Sequence, residues 1–92
     1  MGVKFLIRYH YLVAEDIAKL SSTDKERVRR TIEERLTTAP ELYGKPLRKS
    51  LKGYRKLRVA DYRVVFRIEK TTVKIFVIQH RSVVYENIFK RI

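Results

Sequence analysis

Apolar and polar side chains alternate at the start of the chain, where Val3, Phe5, Ile7 and Tyr9 are set against Lys4 and Arg8. Period-two alternation marks a strand with one buried face, and it predicts a first strand over residues 3–9. From Tyr11 the period lengthens. Val13, Ile17 and Leu20 fall at i, i+4 and i+7, one stripe of a short helix that Ser21 and Ser22 end. Thr23-Asp24-Lys25-Glu26 has the form of a capping box, in which two side chains satisfy backbone N–H groups left unpaired by a first helical turn. It predicts the start of a second helix. Val28, Ile32, Leu36 and Ala39 carry that helix's apolar stripe, while Glu26/Arg30, Arg29/Glu33 and Arg30/Glu34 stand four apart on its exposed side. Pro40 stops it. With a short Ser-rich turn between them, the two helices read as an antiparallel hairpin.

Residues 41–53 show no period and read as a basic loop, with Gly44, Pro46 and Gly53 among Lys45, Arg48, Lys49 and Lys52. Alternation then returns over 54–59 and 62–68, two strands joined by a two-residue turn at Ala60-Asp61. That turn places Val59 opposite Tyr62, Leu57 opposite Val64, Lys56 opposite Val65 and Arg58 opposite Arg63. Tyr54, Lys56, Arg58, Arg63 and Arg67 then share one face, and Leu57, Val59, Tyr62, Val64 and Phe66 share the face toward the helices. Val73, Ile75 and Val77 interleave with Phe76 and Ile78 in a nearly continuous apolar run, as in a central strand covered on both sides. Val84, Ile88 and Ile92 predict a short C-terminal helix. The order β-α-α-β-β-β-α predicts the α+β class: an N-terminal strand, a helical hairpin, a three-stranded antiparallel meander completing a mostly antiparallel sheet, and a short terminal helix.

Ninety-two residues suit one domain over 1–92, since single cores usually take about 100 to 150 residues. Charge changes the picture more. Lys and Arg number 22 against 10 acidic residues, a formal net charge of +12, which favours polyanionic partners such as nucleic acid or an acidic protein. The absence of cysteine excludes disulfides, thiolate nucleophiles and Cys-ligated metals. Lys4 and Arg8 interrupt the first apolar segment, so neither a signal peptide nor a membrane span is expected, and cytoplasmic residence is the default.

Like charges opposite one another weaken a strand pair, so the Arg58/Arg63 pairing asks for a reason. A solvated face is one, and a groove that receives phosphate is the other. Tyr54 among the cations favours the groove, because an aromatic can stack a base while cations hold the backbone. Two histidines, His10 and His80, at no metal-ligand spacing, and no phosphate-cradling Gly-rich loop leave cationic catalysis as the available chemistry. No cofactor is implied. Cleavage of RNA by its own 2′-OH needs that hydroxyl deprotonated, the charge on the pentacovalent phosphate stabilised and the leaving 5′-oxygen protonated. Arginine and lysine supply the second need. Lys56, set among arginines that disfavour a further positive charge, is the candidate base, and His80 or Tyr85 the candidate donor. A hydrogen-bonded strand-end histidine and a core tyrosine are equally simple readings of those last two.

The stretch Tyr54-Arg55-Lys56-Leu57-Arg58-Val59-Ala60-Asp61-Tyr62-Arg63-Val64-Val65-Phe66, followed by His80-Arg81-x-x-Val84-Tyr85, resembles the RelE/ParE toxin superfamily along essentially the whole chain. The resemblance implies a RelE-like fold and a toxin of a type II toxin–antitoxin module. RelE-like members cut mRNA in the ribosomal A site, and ParE-like members block DNA gyrase. The resemblance implies the first activity more than the second; a small basic rRNA-binding protein is a third reading. It places the family's catalytic arginine at Arg63, a second arginine at Arg81 and the tail tyrosine at Tyr85. Of two lysines on the preceding strand, the second falls on Lys56, while the first position holds Tyr54. His80 matches a position that is histidine in many relatives. Tyr54, Arg55, Arg58 and Arg67, with Lys45, Arg48, Lys49 and Lys52 of the loop, are the RNA-binding candidates. The implied partners are an acidic antitoxin, the ribosome and mRNA, with a monomer expected when the toxin is free.

Overall fold

A computed structural model describes residues 2–92. In chain order the elements are β1 (Leu6–Tyr9), α1 (Val13–Ala18), α2 (Ser22–Thr31) continuing into a π-helical turn at Ile32–Leu36, α3 (Pro40–Tyr43), β2 (Lys45–Pro46), and a 3-10 turn at Lys49–Leu51. Then come β3 (Arg55–Val59), β4 (Tyr62–Glu69), β5 (Thr72–His80), α4 (Val84–Asn87) and a 3-10 turn at Ile88–Lys90. The five strands lie in the order β1-β5-β4-β3-β2, all pairs antiparallel except β1 with β5. The α+β arrangement read from the pattern is the one observed.

Two apolar clusters hold the sheet. On one face Val13, Leu20, Val28, Ile32 and Leu36 of the helices pack on Leu57, Val59, Val64, Phe66, Val73, Ile75 and Ile78. The opposite face carries a smaller cluster, in which Val84 and Ile88 of the tail and Leu51 cover Val65, Phe76 and Val77. A bulge makes this possible. Val65 pairs with Val77 but Phe66 pairs with Ile75, so Phe76 is an extra residue that joins Val77 in the tail-side cluster.

The hairpin register matches the reading from sequence at every predicted pair, with Ala60 at φ 53° closing the turn. Elsewhere the structure corrects that reading. Strand β1 starts at Leu6 because the Phe5 N–H turns away to donate to Thr37 O at 2.8 Å. The cap of α2 is Ser21, whose backbone is extended and whose Oγ accepts from Asp24 N at 3.1 Å, so Thr23 lies inside the first turn. Arg29 bridges Glu26 and Glu33, and Arg30 reaches back to Glu26.

Residues 41–53 are not a plain loop. Pro40 ends the long helix but opens α3, where its fixed φ suits a first helical position, and β2 then adds the sheet's edge through Lys45↔Lys56 and Pro46↔Arg55. Gly44 between them is needed for a close approach: a Cβ there would overlap Phe66 Cζ and stand 2.8 Å from Cε1. At the C-terminus the 3-10 turn tightens the spacing, so Val84 and Ile88 are buried while Ile92 is turned outward.

A buried ion pair, not foreseen from the sequence, closes the edge of β5. Strand β1 ends its ladder with His10 N donating to Ile75 O at 2.7 Å, leaving the later half of β5 without a strand partner on that side. Asp16 Oδ2 accepts from Ile78 N at 3.0 Å, and Arg91 Nη1 donates to Phe76 O at 3.0 Å. The two side chains meet at 2.6 Å and 2.9 Å and are 2% and 7% exposed. Gln79 Nε2 adds a bond to Asp16 Oδ1 at 2.9 Å, and its Oε1 accepts from Asn87 at 2.7 Å. Burial pushes the Asp16 carboxyl up, but hydrogen bonds from Arg91, the Ile78 N–H and Gln79 outweigh it and hold the group below its usual value.

Candidate functional site

On the tail-side face, β2, β3 and β4 bring cations together. Lys45 pairs with Lys56 across β2 and β3, and Arg58 pairs with Arg63 across β3 and β4. These four side chains and Tyr43 line one concavity of about 150 Å³. None of the four cations is ion-paired among the described residues. Four positive charges around one small hollow raise its potential and attract an anion, and adjacent strands hold them at fixed spacing. Arg63 is half-buried, and its Nη1 donates to Ala60 O at 3.0 Å and Tyr62 O at 2.9 Å. Those bonds fix the guanidinium against the hairpin turn and relieve its opposition to Arg58. Arg81 joins the same end of the sheet, its N–H donating to Asp61 O at 2.8 Å and its Nε lying 3.9 Å from Asp61 Oδ1.

A family model described as the ParE toxin of type II toxin–antitoxin systems, parDE, matches residues 7–85, from the first strand to the tail tyrosine. The chain belongs to this toxin family. Within the wider RelE/ParE superfamily, a chain of the RelBE2 toxin–antitoxin complex from Mycobacterium tuberculosis is 32% identical, with 87% of this chain and 94% of that one covered and a TM-score of 0.81. The RelB–RelE complex from Methanococcus jannaschii matches at 18% identity, 86% and 95% coverage and a TM-score of 0.68. A double arginine-to-alanine mutant of Escherichia coli toxin RelE in the free state matches at 16% identity, 96% and 93% coverage and a TM-score of 0.65. The last two support the fold. No curated protein gives a significant match.

The remaining candidates of this ParE-family toxin are dispersed. His80 pairs with Tyr62 and therefore projects to the helix side, opposite Arg63, with its ring 5.8 Å from that of Tyr62. Its Nδ1 lies 2.8 Å from Ser82 Oγ and accepts from Ser82 N at 3.1 Å, the hydrogen-bonded strand-end arrangement. Tyr85, on α4, is partly exposed and is not among the residues lining the concavity. Tyr54 is packed edge-on against Phe76 at 5.4 Å with the Arg67 guanidinium 5.7 Å from its ring centre, so it is not an open stacking surface. Arg55 pairs with Phe66, away from Lys56, and donates to Gly44 O at 2.9 Å and Glu41 O at 3.2 Å. It ties α3 to the sheet. Arg48, Lys49 and Lys52 are exposed around the 3-10 turn, and none lines the concavity.

Tyr43 is the site residue that pattern reading missed. It falls within the segment that carries no period, and only the turn of α3 brings it beside Lys56; the Arg35 guanidinium sits 5.1 Å from its ring centre. Among the described residues no group of three or more His, Cys, Asp or Glu is placed to hold a metal ion, and no helix is long and apolar enough to cross a membrane.

Proposed function

We propose that this toxin is a ribosome-dependent endoribonuclease that cuts translated mRNA by attack of a 2′-OH on the adjacent phosphate. The observation that carries the reading is the convergence of Lys45, Lys56, Arg58 and Arg63 on one concavity beside a phenol. A scissile phosphate seated there has cations on several sides as negative charge builds on its oxygens, and the bonded Arg63 needs no reorganisation at that moment. Lys56 takes the 2′-OH proton. Tyr43, in the concavity, is the better-placed donor to the leaving 5′-oxygen than His80, which faces the other side. Arg81 extends the positive field at the hairpin end, and Tyr85 acts on substrate that runs out toward α4. The proposed partner that silences it is an acidic antitoxin: a net charge of +12 steers such a chain, and the M. tuberculosis and M. jannaschii relatives are toxin–antitoxin complexes.

Mapping mRNA 5′ ends after induced expression tests the reading. The wild type should leave cuts within translated codons, and Arg63→Ala at equal protein level should cut more slowly by about 10²–10³-fold, the usual loss on removing one transition-state donor. Tyr43→Phe should slow cleavage while leaving RNA affinity unchanged. The family description favours one other reading, a gyrase poison of the ParE kind. Broken DNA with intact mRNA would establish that reading in place of the nuclease.

A further inference from the structure

We propose that Arg8, Lys74 and Arg67, linked to the exposed ring of Tyr11 through those of Phe76 and His10, form a second RNA-docking strip that grips a single-stranded backbone independently of cleavage. Register carries the placement: Arg8 pairs with Lys74 across β1 and β5, and Lys74 pairs with Arg67 across β5 and β4. Paired residues share a face, so three cations stand in one row across three neighbouring strands. Glu69, 3.7 Å from Arg67, is the one carboxylate paired with the row among the described residues; Arg8 and Lys74 are not ion-paired there.

The row is separate from the concavity. Arg67 and Arg63 are four residues apart on β4, about 13 Å at strand spacing. Val65 lies between them under Val84 and Ile88 of the tail. A line of aromatic rings borders the row. Tyr11 stacks on His10 with centroids 4.6 Å apart and planes at 25°, His10 approaches Phe76 at 6.2 Å, and Lys74 Nζ stands 5.2 Å from the Phe76 ring centre. Tyr11 is 80% exposed. An almost fully exposed ring stacked on a second ring, on the face where Arg8 and Lys74 carry no ion pair among the described residues, is the combination that binds single strands: the cations follow the phosphates and a base continues the stack. An acidic peptide would use the cations but has no need of the ring, and the ring therefore decides for RNA.

The test is polarisation of a labelled 2′-O-methyl oligouridine of about 12 nucleotides, within the span one such surface holds. Lacking a free 2′-OH, it reports binding without cleavage. Changing Arg8, Lys74 and Arg67 together to Gln should lower the slope of log affinity against log salt by about 2, near 0.7 for each lost contact. Tyr11→Ala should weaken binding roughly tenfold, and both losses should persist in an Arg63→Ala background. Exchanging the same cations conservatively, Arg8→Lys, Arg67→Lys and Lys74→Arg, should retain the slope. An unchanged slope in the Gln variant would overturn the proposal, as would loss of binding in the conservative one, which would mark a structural role. Weaker binding of a labelled polyglutamate with oligouridine binding intact would assign the row to an acidic protein instead. If the induced wild type leaves mRNA uncut while the strip losses hold, the nuclease reading fails and the strip stands.

Discussion

The two faces of the sheet are built on different terms. The helix side is apolar almost without interruption, and its cover is a helical hairpin made early in the chain. The tail side has a narrow apolar patch around Val65 and Val77, with cations beyond it in both directions along β4. One face spends its side chains on stability, and the other keeps only enough apolar surface to seat a short tail and leaves the rest for charge. Asp16 on α1 and Arg91 at the end of the tail join the two covers at the β5 edge.

Breaking that joint should have the largest effect. Asp16→Ala leaves the Arg91 guanidinium buried without a counter-charge and the Ile78 N–H without an acceptor, and should cost about 3–5 kcal/mol in urea unfolding. The pair also has a pH signature. Because the folded Asp16 carboxyl is held below its unfolded value, its contribution is present above about pH 4 and is lost as pH falls through the lower folded value. Urea midpoints followed downward from pH 6 should therefore fall in the wild type more steeply than in Asp16→Asn. Equal slopes would mean the pair does not couple to folding.

Gly44→Ala strikes the helix-side core through Phe66. Phe66 is fully buried and cannot swing aside, so the added methyl should lower stability by about 1–3 kcal/mol, with partial recovery when Phe66→Leu is introduced as well. Thermal melts of the single and double variants measure both. The smallest effect sharpens the reading of the helical cover. Ser21→Ala should cost about 1 kcal/mol and Thr23→Ala only a few tenths, and the reverse ranking would return the cap to Thr23.

The hairpin was legible because alternation and a two-residue turn set register together, and every predicted pair from Lys56↔Val65 to Val59↔Tyr62 is observed. That register carried Lys56, Arg58 and Arg63 to one place. It could not carry His80 there, since the strand count past the bulge at Phe76 decides which side His80 takes, and a bulge has no mark in the alternation of an all-apolar run. Tyr43 was hidden because a single helical turn is too short to show a period. Asp16 and Arg91 looked like ordinary surface charges on their own segments, and only a contact across 75 positions gives them a buried role. The capping motif at Thr23 failed for a local reason: Ser21, two residues earlier, satisfies the same kind of N–H, and the chain turns there first.

The parallel pairing of β1 with β5 has a consequence in time. Residues 6–9 are made well before residues 72–75, which among the described residues are their one strand partner, so the sheet cannot close until synthesis has passed residue 75. Until then the first strand has no ladder to join, and the row that includes Arg8 and Lys74 does not exist. A nascent chain of this toxin therefore cannot assemble its second basic surface before residue 75 has been made, whereas the residues of the hairpin that holds Arg63 are all made by residue 69.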